Sequence, residues 1–440
     1  MTLSAGTPLI RLRRKFAWVA GILAIATAVL GMPVTPAHAA NSTITIADVA
    51  PFTGADAVLG PIYLVGCDAA IQGINSHGGV MGHKFACKTA DTRGDPADAV
   101  PAARKLIATT PNLGLVIGCT SDEAATVVPI FNANKTVSFC MTGQSEFDSV
   151  KFPYFFRLVP PDLEEAYAMV AIAKQKGYKK VALAFGNDIG SQAFVKPAIS
   201  AIHKAGMTVV ANETLQLSAT TFQTEAQAIV ASKPDVILSE ALGPADASLL
   251  SEIMQLNGGK FIPVIGTAAT IDPTWYSTVT QAVGKANITN HFVADNQSIS
   301  TTGAAYPTYR ALLLAQKGKV SSIGNYTTLL TSPGASHLYD GINLAALAMV
   351  MAKSTNGSVF KEDILKIADG VPGATVVSTF AQGVAALKAH KAIKYVGVGG
   401  VYKFDAYHTS IGLFQEDAYS SSGAVKVIGQ ITPAQIKALS

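Results

Sequence analysis

Residues 44–108 read ITIADVAPFTGADAVLGPIYLVGCDAAIQGINSHGGVMGHKFACKTADTRGDPADAVPAARKLIA. Ile44, Ile46 and Asp48 alternate as in a strand, a Gly/Thr loop follows, and then comes a helix with apolar residues three and four apart. The Gly78-Gly79 turn leads into a second strand, and an acidic loop with a glycine over 91–95 opens a second helix. Strand, helix, strand, helix is the opening half of a doubly wound parallel sheet.

The alternation continues outward from there. Strand-like runs at 115–118, 137–141, 181–185, 208–212, 236–239 and 263–266 are interleaved with helical patterns at 164–176, 193–205, 222–231 and 245–256. The pattern predicts an α/β chain of parallel sheets covered by helices on both faces. No internal repeat or low-complexity linker interrupts it. A hydrophobic content of 49% with 38 glycines suits closely layered helices and strands. The length allows two domains or one large one.

The first 39 residues read as a secretion leader. Arg11, Arg13, Arg14 and Lys15 form a basic start, 16–32 an apolar stretch, and Ala37-His38-Ala39 an A-x-A cleavage site. The alternative is a retained N-terminal anchor, since the apolar run approaches spanning length. The formal charge of +4 lies in that leader, leaving 29 Lys and Arg against 29 Asp and Glu. A neutral mature chain has no electrostatic footprint for nucleic acid or anionic lipid. The first cysteine is Cys67, so no lipoprotein cysteine follows the cleavage site, and a free periplasmic protein is expected.

Six separated segments carry a family resemblance. PFTGADAVLG (51–60), GINSHGGVMGHKF (73–85), DTRGDPADAV (91–100), KKVALAFGNDIGSQ (179–192), PDVILSEALGPADA (234–247) and YVGVGGVYKFD (395–405) fall in one order along the chain. Together they resemble the branched-chain amino-acid type, or type I, periplasmic binding proteins of bacterial ABC importers. The resemblance implies two lobes, each a parallel sheet flanked by helices, joined by three hinge crossings. By that reading lobe one holds 41–157 and 297–373, and lobe two 162–291 and 398–440. The crossings fall near 157–161, 292–296 and 374–398, the last interrupted by a helix-like stretch at 379–390. The implied partners are a small ligand and a membrane permease, the protein being a monomer with no cofactor.

In this fold the strand ends carrying Cys119 and Cys140 lie side by side, close enough for the geometry of a disulfide. Cys67 and Cys87 form a second candidate pair. Four buried thiols are the alternative.

Strand three is followed by Thr120-Ser121-Asp122-Glu123 at a helix start. The resemblance gives this loop the ligand's carboxylate, with Ser121 foremost. A capping box with Thr120 as N-cap and Glu123 three residues on explains the same residues structurally. Strand four runs into Cys140-Met141-Thr142-Gly143-Gln144-Ser145, where Met141, Thr142, Gly143 and Ser145 are implied contacts. Tyr339 joins them by resemblance.

The departures from the family pattern bear on the ligand. The aromatic near the end of the first loop aligns with Leu59, two second-lobe tyrosines with Ile189 and Leu242, and the acid that clamps the ligand's ammonium with Ala268. An amine-free aliphatic or aromatic acid is one expectation from this. The other is that Asp122 or Glu240 takes over the ammonium, keeping a branched-chain or other hydrophobic amino acid as ligand.

Catalysis has little support. The chain has no G-x-S-x-G, no P-loop and no H-E-x-x-H. His77 and His83 flank one turn and read as a solvated loop, and Arg93-Gly94-Asp95 as a strand-to-helix turn. A ligand-presenting sensory protein of the same fold remains the alternative function, and a secreted α/β hydrolase a remote one.

Overall fold

A computed structural model describes residues 43–54, 56–411 and 413–440. The leader reading lies outside these residues. The first sheet contains β1 (Ile44–Ala50), β2 (Phe85–Asp91), β3 (Leu113–Thr120), β4 (Ser138–Met141) and β5 (Phe155–Arg157). Its strands are all parallel, in the order β2-β1-β3-β4-β5. The connecting helices are α1 (Leu59–Ser76), α2 (Pro96–Thr109) and α3 (Ser121–Ala133).

From β5 the chain passes into α4 (Asp162–Gln175) and a second sheet. That part comprises β6 (Lys180–Gly186), α5 (Ile189–Lys204), β7 (Thr208–Leu215), α6 (Gln223–Ser232), β8 (Val236–Glu240), α7 (Gly243–Leu256), β9 (Val264–Gly266), α8 (Pro273–Val283), α9 (Lys285–His291) and β10 (Phe292–Gln297). Strands β7-β6-β8-β9-β10 run parallel.

The chain then returns through α10 (Tyr306–Leu314), α11 (Pro333–Ala352) and α12 (Gly357–Asp369). A small sheet follows, with β11 (Thr375–Val377), α13 (Phe380–Lys388), β12 (Ile393–Gly397) and β13 (Gly400–Val401). The last elements, β14 (Phe414–Tyr419), β15 (Val425–Ile431) and α14 (Pro433–Leu439), go back to the second sheet. There β14 pairs antiparallel with β10, and β15 with β14. This antiparallel edge departs from an all-parallel expectation.

Period-two alternation explains why both sheets sit between helical layers. Val181, Leu183 and Phe185 of β6 belong to one buried cluster, and Ala182 and Ala184 to the cluster on the opposite face. In β1, Ile44 and Ile46 face one core and Ala47 and Val49 the other. Strands buried on both faces read as continuous apolar runs, as these do.

Residues 375–404, spanning the stretch expected as the third crossing, pack with the first sheet's core. Val377, Tyr395, Tyr402 and Phe404 share a cluster with Ile44 and Ile46, whereas Phe414 belongs to a core of the second sheet. Asp340 of α11 anchors that segment, accepting from the Tyr395 hydroxyl (2.8 Å), the Tyr402 hydroxyl (2.9 Å) and the Gly399 N–H (2.8 Å). A side chain at Gly397 would strike the Asp340 carboxylate, its Cβ lying 2.3 Å away.

The connections between the sheets run side by side. Arg157 is fully buried. Its N–H donates to His408 O (2.9 Å) and its carbonyl accepts from Ser410 N–H (2.9 Å). Its guanidinium donates to Thr409 Oγ1 (3.1 Å), to Gln144 O (2.9 Å) and to the Asp148 carboxylate. Ser298 N–H likewise donates to Leu413 O at 2.8 Å.

Cys67 is bonded to Cys87 and Cys119 to Cys140, with Cα atoms 6.3 and 4.8 Å apart. All four lie in elements of the first sheet and its helices. No helix of the described residues is long and apolar enough to cross a membrane.

Candidate functional site

The carboxyl ends of both sheets face a common cavity of about 390 Å³. That is within the range of small-molecule sites, roughly 300–1,000 Å³. Position and topology agree, because open α/β sheets bind ligands outside the carboxyl ends of their strands. The loop after β1 contributes Asp56 and Val58, the end of β3 Thr120, and the loop after β4 Gly143. From the second sheet come Asp188 after β6, Glu240 to Pro244 after β8, and Ala268 to Trp275 after β9.

Local backbone chemistry shapes these loops. Gly118 has φ of +92°, and a Cβ there would stand 2.8 Å from both Asp48 Oδ1 and Val49 O. The register of β3 against β4 shifts between Gly118 and Thr120, which turns the strand end into α3. Thr120 donates its N–H (3.0 Å) and its hydroxyl to Glu123, the reciprocal contact expected of a capping box. Gly143 packs directly on Asp162, where a Cβ would lie 1.8 Å from Oδ1.

Of the residues expected from the sequence, Leu59, Thr120, Ser121, Asp122, Met141, Gly143, Glu240, Leu242 and Ala268 line the cavity. Four others do not. Thr142 is buried just behind the wall, its hydroxyl 3.2 Å from Ser121 Oγ. Ser145 begins a short 3-10 turn beyond it. Ile189 opens α5 with 50% of its surface exposed, while its neighbours Gly190 and Ser191 line the cavity. Tyr339 sits mid-helix in α11 and stacks edge-on to Tyr309 (5.1 Å) inside the core. The apolar face of that helix claims its side chain. His77 is not poised for metal; its ring nitrogen lies 2.8 Å from Gly73 O. Among the described residues no cluster of three or more potential metal ligands occurs.

The charge of the lining is one-sided. No Lys, Arg or His side chain lines the cavity among the described residues, whereas seven carboxyl groups do. Two of these have structural duties. Asp188 caps α5 through Ser191 N–H (2.7 Å), and Asp272 caps α8 through Thr274 and Trp275 N–H (2.7 and 2.9 Å).

The remaining five form two groups. Asp162, Glu165 and Glu240 form the floor. Glu165 Oε1 accepts from Ala268 N–H at 3.1 Å. Glu240 accepts from the hydroxyls of Ser191 (3.4 Å) and Thr267. Asp162 Oδ2 is buried without a partner, as is Oε1 of the neighbouring Gln297. Asp56 and Asp122 form the rim. Asp122 accepts from Gly190 N–H at 3.1 Å, reaching from the first sheet's α3 to the second sheet's α5.

Burial raises these acids, although at Asp162 the charge of Arg157 pulls the other way. Desolvation, with the hydrogen bond and charge of Asp122, pushes Asp56 up to about 8. Desolvation pushes Glu165 up to about 7. Glu240 is held well above the usual range by burial, reinforced by Asp188, Glu165 and Asp162, and Asp162 is held up by burial and Glu165.

The sequence reading missed Asp56, Asp162 and Glu165. Glu165, from a helix 103 residues earlier, is the acid that meets position 268, its Oε1 accepting from the Ala268 N–H. Asp162 and Glu165 open a helix, where acids ordinarily serve the helix dipole, so the sequence carried no separate signal for them.

A family model described as Periplasmic binding protein matches residues 43–357. The Leu/Ile/Val-binding protein homolog 3 of Brucella melitensis biotype 1 is 29% identical over 177 residues, 40% of this chain and 48% of that protein. The chain thus spans about half the length of that relative. A Leu/Ile/Val-binding protein of Rhizobium johnstonii is 25% identical over 60% of this chain and 72% of its own length.

Among solved structures, the substrate binding protein LivJ of Streptococcus pneumoniae, in complex with isoleucine, superposes with TM-score 0.69. It shares 18% identity, covering 89% of this chain and 100% of that one. A solute binding protein from R. palustris in complex with 4-hydroxybenzoate gives TM-score 0.67 at 17% identity, covering 89% of this chain and 97% of that one. At these identities the likeness is one of fold, and the fold is the type I periplasmic binding fold.

Proposed function

Because the chain belongs to the periplasmic binding protein family, a family of binding proteins and not of enzymes, we propose that it captures a small amine-bearing solute in the cavity between its sheets and delivers it to an ABC importer. The observation that carries this reading is the floor of Asp162, Glu165 and Glu240, with no basic side chain lining the cavity among the described residues. An ammonium there gains charge-assisted hydrogen bonds worth about 1.5–3 kcal/mol each. A ligand whose only charge is a carboxylate finds no basic side chain among the described lining residues to pair with.

The apolar wall of Leu59, Ile62, Val159, Phe194 and Leu242 receives the ligand's hydrocarbon body. Ser121, with Thr142 behind it, offers hydroxyls at the amino end of α3 for a polar head group. In this reading the lobes hinge where the chain passes between the sheets, near 158–161, 298–299 and 405–413. Arg157 and the strands beside it keep those segments moving together. Closure is favoured by ligand through differential affinity for the closed state.

Isothermal titration of ligand-stripped protein at pH 8 tests it, using L-leucine, L-isoleucine, benzoate and 4-hydroxybenzoate. The amines are expected to bind and the acids not. Benzoate or 4-hydroxybenzoate binding more tightly than both amino acids would overturn the proposal.

A further inference from the structure

The floor of the cavity offers a cation two different things, charge and direction. Glu165 and Glu240 are acids that already accept from the protein. Glu165 has the Ala268 N–H at 3.1 Å, and Glu240 has the hydroxyls of Ser191 (3.4 Å) and Thr267. Asp162 and Gln297 differ from them. Each is only 6% exposed and each lines the cavity. Each also keeps one buried side-chain oxygen without a donor, Oδ2 of Asp162 and Oε1 of Gln297. A buried acceptor in that condition keeps the full cost of its lost hydration.

Both acceptors are held by regular elements, which fix side-chain geometry better than loops do. Asp162 opens α4, with its N–H bonded to Gly143 O at 2.7 Å. Its carboxyl group packs so closely on Gly143 that a Cβ there would lie 1.8 Å from Oδ1. Gln297 closes β10, where it is paired in register with Phe414 of β14.

A cationic nitrogen without N–H groups is recognised by a cage of aromatic rings. The aromatic residues lining this cavity among the described residues are Tyr63, Phe194 and Trp275, one each from α1, α5 and α8. Phe194 stacks on Phe185 (6.1 Å), and Trp275 packs on Phe292 (4.6 Å) with its N–H donated to Asp246 (2.8 Å). The floor itself consists of acids and an amide.

Resting on the amine-binding reading above, we propose that Asp162 and Gln297 select the ligand by the N–H groups on its cationic nitrogen, so that the solute is a primary or secondary ammonium and not a tertiary or quaternary one. Glu165 and Glu240 attract any monocation alike. Asp162 Oδ2 and Gln297 Oε1 take one N–H each. A primary or secondary ammonium satisfies both, a tertiary one satisfies one of the two, and a quaternary one satisfies neither. Methylation keeps the nitrogen's charge, so attraction between charges does not make this distinction. A site built to hydrogen-bond a group rejects the analogue lacking it more strongly than an apolar pocket rejects one methyl, because its own polar atoms are left unpaired.

The test is titration calorimetry on ligand-stripped mature protein at pH 8. The probes are L-leucine and its N-methyl, N,N-dimethyl and N,N,N-trimethyl derivatives, with benzoate as the amine-free control. The first methyl is expected to cost about tenfold or less, the second about tenfold or more beyond it, and the trimethyl form to bind about 100-fold or more weakly than L-leucine. Bulk alone weighs on the first methyl as it does on the second.

Gln297→Met keeps the length of the side chain and removes its acceptor. In that variant the N-methyl and N,N-dimethyl forms are expected to bind within about threefold of each other, a ratio that a structural role for Gln297 would not move. The wild-type series decides the matter if Gln297→Met does not fold. Equal affinity along the series, or a loss already complete at the first methyl, overturns this inference while leaving the amine-binding reading in place. Benzoate binding more tightly than L-leucine, or no binding by any of the leucines, overturns both.

Discussion

Replacing Glu165 with Gln separates a ligand-holding acid from a structural one. Glu165 is 6% exposed and has no cationic partner in the cavity. Burial raises it from 4.5 to about 7, against which the Ala268 N–H and the Gln297 side chain pull downward. With the folded value above the unfolded one, its favourable contribution is complete below about pH 4.5 and is lost as pH rises through about 7. A tenfold change in proton affinity corresponds to about 1.4 kcal/mol, so the ligand-free protein loses on the order of 3 kcal/mol at this residue between pH 4.5 and pH 8.

Glu165→Gln keeps the acceptor for Ala268 N–H and removes the titrating group. The variant should therefore match wild type near pH 4.5 and exceed it by on the order of 3 kcal/mol at pH 8. At roughly 2–4 °C per kcal/mol for a domain of 150–250 residues, Tm rises by about 6–12 °C. Differential scanning calorimetry of ligand-free wild type and variant at the two pH values reads this directly. The same substitution should weaken L-leucine about tenfold or more, as a charge-assisted bond becomes a neutral one. Superimposable pH profiles, or a variant less stable at pH 8, would refute the reasoning, because either means that Glu165 is already compensated by the fold.

Three further outcomes are expected. Ser121→Ala combined with Thr142→Ala should weaken any ligand bearing a carboxylate by about tenfold or more while circular dichroism stays unchanged; undiminished affinity places the head group elsewhere. Arg157→Met leaves Asp148, Gln144 O and Thr409 without their donor and should cost about 3–5 kcal/mol in urea denaturation. A loss below about 1 kcal/mol would mean that the crossings hold together without it. Thiol titration of unreduced, denatured mature protein should find no free cysteine, and four after reduction; any thiol before reduction removes at least one bridge.

The fold was largely legible because both sheets are buried on two faces. Strands such as β6 and β8 appear as apolar runs between turn residues, and helices such as α7 carry the longer period. The helix at 380–388 was also visible, although its sheet, β11-β12-β13, was not recognisable as part of the first core. Its attachment depends on Asp340, Tyr395 and Tyr402, which are polar contacts across more than fifty residues.

The site was half legible. Ser121, Asp122 and Glu240 stand at strand ends, where topology points to ligands. Asp162 and Glu165 were hidden by an equally good local explanation at a helix start. Tyr339 failed for the opposite reason: a polar aromatic in an apolar helix packs its ring first. What no local pattern carries is the meeting of Glu165 with Ala268, and the sequence, without that contact, left an amino acid and an amine-free acid both open as ligand.

The two disulfides are placed on one side only. They close loops with sequence separations of 20 and 21, both in the first sheet and its helices, while the half built on the second sheet has none. Loops of that size correspond to about 3 kcal/mol of constraint each, together comparable to the entire stability of many domains. Reduction therefore withdraws that constraint from the first sheet's half alone and leaves the half built on the second sheet as it was. The redox state of the medium is thus felt by one half of the molecule and not by the other.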